Sequence, residues 1–314
     1  MATVSVIMPA YNVAAYIGAA IDSVKAQTVG DWELLVVDDG STDATYETVR
    51  RLAAGDARIR LLQKSNGGIS TARNMALAVS RGEFIAILDS DDIWEPAYLA
   101  EQLAVFARQP EVDIVTSNGW FVGSRLNGQL ARPFPDSRPQ PTLHTILADE
   151  TSIFIMSMFR RRVYEANGGF DEALRTNEDY DYWLRAALAG FRFWRNDRPL
   201  CYYRRRDDSV SAIDVNMLAG ILRVYRKLRP LLQDRPAELR TLDAQVARFE
   251  RESLAAHARI ALTTGDTAGA ASHLSALYAQ GGGPAIALAS FMARRMPRLL
   301  ARAYQWRRAH HGAM

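Results

Sequence analysis

Cysteine is all but absent. Cys201 stands alone among 314 residues, which excludes an intramolecular disulfide and a cysteine-built zinc site and leaves the residue to a core. Long apolar runs are missing too: no stretch approaches the 18 or more residues of a membrane span. The opening A-T-V-S-V-I-M-P lacks the basic start and cleavage site of a signal peptide, so the chain is expected in the cytoplasm. No G-x-G-x-x-G follows the first apolar run and no G-x-x-x-x-G-K-[ST] occurs anywhere, so a Rossmann dinucleotide site and a P-loop both lose support. Charge of one sign is not in large excess, and a net +3 from 38 basic and 35 acidic side chains does not imply nucleic acid. The remaining composition, 48% hydrophobic and 23% charged, is that of an ordinary globular chain long enough for two domains or one large one.

What is present is an acidic cluster. The apolar run F-I-A-I-L leads into Asp89-Ser90-Asp91-Asp92, which reads as a buried strand delivering negative charge at its C-terminal end. Carboxylates packed so closely are tolerated on a solvated loop or around a hard divalent cation with oxygen ligands. The surrounding pattern supplies a context for both. Strand-like and helix-like segments alternate from Val4 to Ser117, with strands predicted at Val4 to Met8, Trp32 to Val37, Arg58 to Leu62, Glu83 to Leu88 and Asp113 to Ser117. Helices are predicted between them at Ala14 to Gln27, Asp43 to Ala54, Ile69 to Ser80 and Pro96 to Arg108. Such alternation builds a mostly parallel α/β sheet flanked by helices. Ile17, Ile21 and Val24 give the first helix one buried face, and Ser41 or Thr42 is the expected cap of the second.

The period breaks after Val115. Residues 118 to 145 hold three glycines and four prolines and are expected to form a long irregular segment. A strand is predicted over Ser152 to Arg161, a helix over Glu178 to Ala189 and strand-like chain over Phe191 to Tyr203. From about residue 214 everything is expected to be helical, giving a first domain at 1–213 and a helical appendage at 214–314, interrupted by Gly281-Gly282-Gly283-Pro284. A helix-turn-helix stretch before that breaker resembles one tetratricopeptide unit, too few copies for a solenoid. Residues 285–314 carry six arginines and no acid, beside Leu288, Phe291, Met292, Leu299, Leu300 and Tyr304, with Pro297 expected to kink or divide the helix. That pattern suits peripheral contact with an anionic membrane or docking onto the first domain.

Three predicted strands end on one edge, in Pro9-Ala10-Tyr11-Asn12, in Asp38-Asp39-Gly40-Ser41 and in Asp89 to Asp92, where α/β sheets bind ligands. An aromatic can stack on a base, and a carboxylate can accept hydrogen bonds from its ring NH or from a ribose hydroxyl. For Tyr11 and Asn12 the alternative is turn and cap chemistry; for Asp38 and Asp39 it is complementing a helix N-terminus.

The strings S-V-I-M-P-A-Y-N, E-L-L-V-V-D-D-G-S-T-D, N-G-G-I-S-T-A-R-N, G-E-F-I-A-I-L-D-S-D-D, G-G-F-D-E and N-E-D-Y-D-Y-W-L-R, in that order over about residues 3 to 211, resemble the family 2 glycosyltransferases with the GT-A fold. The resemblance implies a nucleotide-diphosphate sugar donor, UDP-linked in the commonest case, with Pro9, Tyr11 and Asp39 around base and ribose and Asn12 beside them. It implies Arg73 in contact with the donor, where the bare sequence also allows a surface arginine. It gives Asp91 the divalent metal, Mg2+ or Mn2+, with Asp89 and Asp92 orienting ligand or donor sugar. Asp179 matches the catalytic base, with Glu178 as rival, and either acid could instead complement a helix dipole. The chain departs from the pattern in Y-Y-R-R-R-D-D-S-V-S, where many relatives carry a histidine near position 206; Arg206 could pair with the donor phosphates instead. The Q-x-x-R-W string of processive polysaccharide synthases is absent, so transfer of single sugars rather than polymerisation is expected, to a glycan, lipid-linked or protein acceptor, and in-line attack opposite the diphosphate leaving group implies inversion. A sugar nucleotidyltransferase and a non-catalytic glycan-binding protein on the same fold are the alternatives.

Overall fold

The structure is a computed structural model that describes residues 2–123, 126–132, 140–153, 155–205 and 214–311. The chain divides into two compact units, Met1–Ala212 and Ile213–Met314.

The first unit opens with β1 (Val4–Ala10), α1 (Ile17–Lys25), β2 (Trp32–Asp38), α2 (Thr45–Ala53), β3 (Ile59–Gln63), α3 (Ile69–Val79) and β4 (Phe84–Ile87). It continues with β5 (Ile93–Trp94), α4 (Tyr98–Arg108), β6 (Ile114–Val122), α5 (Leu143–Ala148), β7 (Ser157–Arg160), α6 (Arg161–Asn167), α7 (Glu178–Leu188) and β8 (Phe193–Arg204). The sheet order is β3-β2-β1-β4-β7-β6-β8-β5. Every residue of β1 and β2 is buried, as expected of apolar strands covered on both faces. In α1, Ile17, Ile21 and Val24 are buried on one face.

Register places the site. β1 pairs with β2 in parallel from Val4↔Trp32 to Ala10↔Asp38, and with β4 from Val4↔Phe84 to Ile7↔Ile87. The chain steps outward from β1 to β2 and β3, then returns to the other side of β1 as β4. A crevice therefore opens between β1 and β4 at their C-terminal ends, the switch point of an open α/β sheet.

Two expectations need correction. Residues 118 to 122 are not irregular but complete β6, which runs parallel to β8 through register shifts between Thr116, Asn118 and Gly119. Glycine there permits close approach, since a Cβ on Gly119 would lie 2.7 Å from the Cys201 carbonyl oxygen. The sheet is mostly parallel as expected, with β7 antiparallel to both β4 and β6 and β5 antiparallel to β8. The start of α2 differs as well: Ala44 holds the cap position with no side-chain cap bond, and Asp43 Oδ1, not Ser41 or Thr42, accepts the Thr45 N–H at 2.9 Å. Cys201 is buried, with its thiol donating to the Asn118 carbonyl at 3.2 Å.

The second unit is helical: α8 (Asp214–Leu228), a 3-10 turn (Arg229–Leu232), α9 (Pro236–Thr264), α10 (Thr267–Ala279), α11 (Pro284–Arg295) and α12 (Pro297–His311). Gly265 ends α9 at φ 80°, and Asp266 caps α10 by accepting the Gly269 N–H at 2.9 Å. Pro284 opens α11 and Pro297 divides it from α12. Ala261, Leu262, Ala270 and Ala301 form one small core, with Leu300 and Tyr304 against it; Ala258, Leu274 and Ala293 form a second.

Candidate active site

At the end of β1, Pro9 is buried and Tyr11 projects with 48% of its surface exposed. Asn12 adopts φ 51°, a left-handed conformation that asparagine tolerates. Its backbone N–H donates to Ser41 Oγ at 3.0 Å and its Oδ1 accepts the Thr42 N–H at 2.8 Å. Asn12 therefore ties the β1 turn to the turn after β2, using Ser41 and Thr42 for that join rather than as caps.

Asp39 is buried and serves as the anchor of the loop before α3. Its Oδ1 accepts Lys64 Nζ at 2.7 Å and the Gly67 N–H at 3.0 Å, and its Oδ2 accepts the Gly68 N–H at 2.8 Å. The glycines are required for this embrace. Gly68 sits at φ 96°, and Gly40, at φ 74°, would place a Cβ 2.8 Å from the Asn66 nitrogen. Lys64 was not foreseen from sequence, although it follows β3 on the same strand-end edge and that placement was the available signal.

Arg73 is 1% exposed on α3, not on its surface. Its guanidinium bridges Asp89 Oδ1 at 2.7 Å and Glu178 Oε1 at 2.6 Å, and lies over the Phe170 ring at 5.1 Å. Burial works against that charge, but the two carboxylates outweigh it and raise the guanidinium's hold on its proton. One arginine thus fixes the end of β4 to the start of α7.

The acidic cluster divides by position. Asp89 is held by Arg73; Asp91 is partly exposed, with its backbone carbonyl accepting Arg204 Nε at 3.0 Å. Asp92 is 1% exposed, and its Oδ1 accepts the Arg204 N–H at 2.7 Å. Burial, reinforced by the charges of Asp91 and Asp89, pushes the Asp92 carboxyl well above the usual carboxylate range. Asp92 therefore fastens this loop to β8, a second task that its place in the string did not reveal.

Asn177, at φ 59°, starts α7 from a left-handed turn and delivers Glu178 and Asp179. Glu178 is buried against Arg73, whereas Asp179 is partly exposed and its Oδ1 accepts the adjacent Tyr180 N–H at 2.8 Å. Burial pushes the Asp179 carboxyl up to about 7, with the Glu178 charge adding to the rise and Arg73 opposing it. Arg206 lies outside the described residues.

Among the described residues no group of three or more His, Cys, Asp or Glu is gathered to cage a metal ion. The donor set nonetheless suits a hard cation that takes one or two carboxylate oxygens and completes its shell with substrate phosphates and water, the habit of Mg2+.

The sheet order, with its crevice opening between the ends of β1 and β4, is that of the GT-A fold. The chain belongs to glycosyl transferase family 2, whose profile matches residues 5–168. It is 34% identical over 219 residues to the glycosyltransferase EpsJ of Bacillus subtilis, covering 67% of this chain and 63% of EpsJ. It is 32% identical over 208 residues to the chondroitin synthase of Pasteurella multocida, covering 64% of this chain but 20% of that protein. The chain thus spans less than two thirds of the length of either relative. In fold it is similar to the 1–349 segment of S. aureus TarS in complex with UDP, with a TM-score of 0.64, 21% identity and coverage of 100% of this chain and 93% of that one. The mannosyltransferase PcManGT of Pyrobaculum calidifontis, in complex with GDP-Man and Mn2+, gives a TM-score of 0.63 at 22% identity, covering 99% and 88%.

Proposed function

We propose that this glycosyltransferase moves a sugar from a nucleotide-diphosphate donor to an acceptor hydroxyl with inversion at the anomeric carbon. The observation that carries the reading is the unequal fate of two adjacent acids: Glu178 is committed to buried Arg73, while Asp179 stands in the next position, partly exposed and without an ion pair among the described residues. UDP-linked sugars are the first donors to test, supported by the TarS complexes with UDP and UDP-GlcNAc. The relatives named chondroitin and hyaluronan synthase support a bacterial surface glycan or glycoconjugate, glycan, lipid-linked or protein, as acceptor.

In this reading residues 1–213 are the catalytic domain and 214–314 a helical appendage. Tyr11 offers a face on which the base stacks, beside Pro9. Asp39 and Asn12 set the walls of that pocket by holding the 64–68 and 41–42 turns. Arg73 keeps Asp89 and α7 at fixed separation. A divalent cation, Mg2+ or Mn2+, held by Asp91 together with the donor diphosphate, would supply Lewis-acid stabilisation of the departing phosphate. Asp179 takes the proton of the acceptor hydroxyl as its oxygen bonds to the anomeric carbon, while the bond from that carbon to the diphosphate breaks on the opposite face. A diphosphate sugar is too charged to cross a bilayer unaided, which supports a cytoplasmic site of action.

The test is a panel of UDP- and GDP-sugars with Mn2+, scored by calorimetric binding and by nucleoside diphosphate release with and without acceptor. Binding and turnover of one donor is expected. Pyrophosphate release from a nucleoside triphosphate and a sugar phosphate, with no donor turnover, would replace this reading by a nucleotidyltransferase.

A further inference from the structure

We propose that α11 and α12 form a seat for an anionic lipid bilayer, a property independent of the donor chemistry. Each helix is two-sided. On α11, Ser290 and Ala293 are buried, while Leu288 and Phe291, on the other side of the helix, are 60% and 53% exposed. On α12, Ala301 is buried and Leu300 and Tyr304 pack against the small core, while Leu299 and Trp306 are 55% and 60% exposed. The sequence grouped Leu299 and Leu300 on one apolar side; the structure separates them. Helical spacing also puts Arg295 beside Leu288 and Phe291, and Arg302 beside Leu299 and Trp306. Leu288, Phe291 and Leu299 are therefore exposed on stripes that they share with arginines.

Charge selects the occupant. No Asp or Glu occurs after Asp266, while Arg294, Arg295, Arg298, Arg302, Arg307 and Arg308 follow it. Arg294, Arg295, Arg298 and Arg302 are exposed. A mate with an apolar interior beneath a layer of negative charge satisfies both features, and that is the interface of a bilayer rich in anionic headgroups. Trp306 has the rim chemistry found at such interfaces. No described helix is long and apolar enough to cross a membrane, so the contact is one of lying on the surface.

Flotation of the full chain with vesicles of phosphatidylcholine, alone or mixed with phosphatidylglycerol, tests the proposal. Binding to the mixed vesicles only, weakened by salt, is expected. Replacing Arg294, Arg295, Arg298 and Arg302 by Gln should lower partitioning by about fivefold per arginine. Phe291→Ser with Leu299→Ser should lower it by about tenfold per side chain. Trp306 emission should shift to the blue on binding, and Trp306→Phe should abolish that shift. These positions are exposed, so circular dichroism and transfer to a soluble acceptor should not change. Absence of flotation, equal binding to neutral vesicles, self-association through these stripes without lipid binding, or capture by single-stranded DNA but not by vesicles would each overturn the proposal.

Discussion

Glu178 and Asp179 are the same kind of group one position apart, and only their partners tell them apart. The sequence places both at the start of a helix, but Arg73 meets Glu178 across 105 residues, a separation no local pattern encodes. The carboxylates that end strands were legible because strand ends are where such sheets bind ligands; the buried clamp was not, because a lone arginine on a helix looks the same inside or out. Asp179→Asn is expected to keep donor and metal affinity and to lose transfer by about a hundredfold to ten-thousandfold, measured by calorimetry and single-turnover rates. Near-normal transfer would return the role of base to Glu178. The pH profile follows from the raised carboxyl. Protonated below about 7, Asp179 cannot accept a proton, so kcat/KM of the free enzyme should climb as pH rises through that value. Glu178→Gln removes the neighbouring negative charge and leaves Arg73 nearer in effect, so the limb should move to lower pH. Arg73→Met strands two carboxylates that are 20% and 10% exposed, and should cost about 3–5 kcal/mol in chemical denaturation. Adding Glu178→Gln should recover part of that loss.

Among the elements, α3 is the one that binds the motif strings to one another. Arg73 reaches the Asp89 and Glu178 strings, and the next residue, Asn74, accepts the Phe170 N–H at 2.8 Å and donates to the Phe170 carbonyl at 2.9 Å. Separate strings in a fixed order are thus contacts of one helix, and a Cβ on Gly169 would lie 2.3 Å from Asn74 Oδ1, so the Asn74 amide would have to move. The alternating elements through β4 were legible from apolar period and turn residues. Beyond them the signal weakens for a physical reason: β7 has four residues, β5 has two, and the sheet turns antiparallel, so neither length nor the strand-helix rhythm marks the pieces. At Gly119 the rule that glycine breaks strands misled outright. Gly119→Ala checks the packing explanation, because the new methyl would face the fixed Cys201 backbone as well as its sulfur at 3.0 Å. A loss of about 1–3 kcal/mol in denaturant unfolding is expected. An unchanged midpoint would mean that β6 and β8 are not held as closely as described.

On the scale of the whole molecule, every residue assigned to donor, cation or proton transfer and described in the structure falls within Met1–Ala212, while the exposed arginine-bearing stripes belong to Ile213–Met314. Chemistry and surface attachment are therefore separable predictions. Hydrogen exchange distinguishes them, because bound ligand lowers the frequency of local opening where it touches the backbone. A UDP-sugar with Mn2+ should slow exchange at 10–12, 38–41, 89–92 and 177–181 and leave 236–311 unchanged. Anionic vesicles should slow 284–306 and leave the strand ends unchanged. A chelator should remove the protection at 89–92, since the diphosphate and the cation each help retain the other near Asp91. Protection spreading from donor into 236–264 would assign part of the donor site to the helical unit, and donor protection at 89–92 that persists with no metal present would remove Asp91 from the cation.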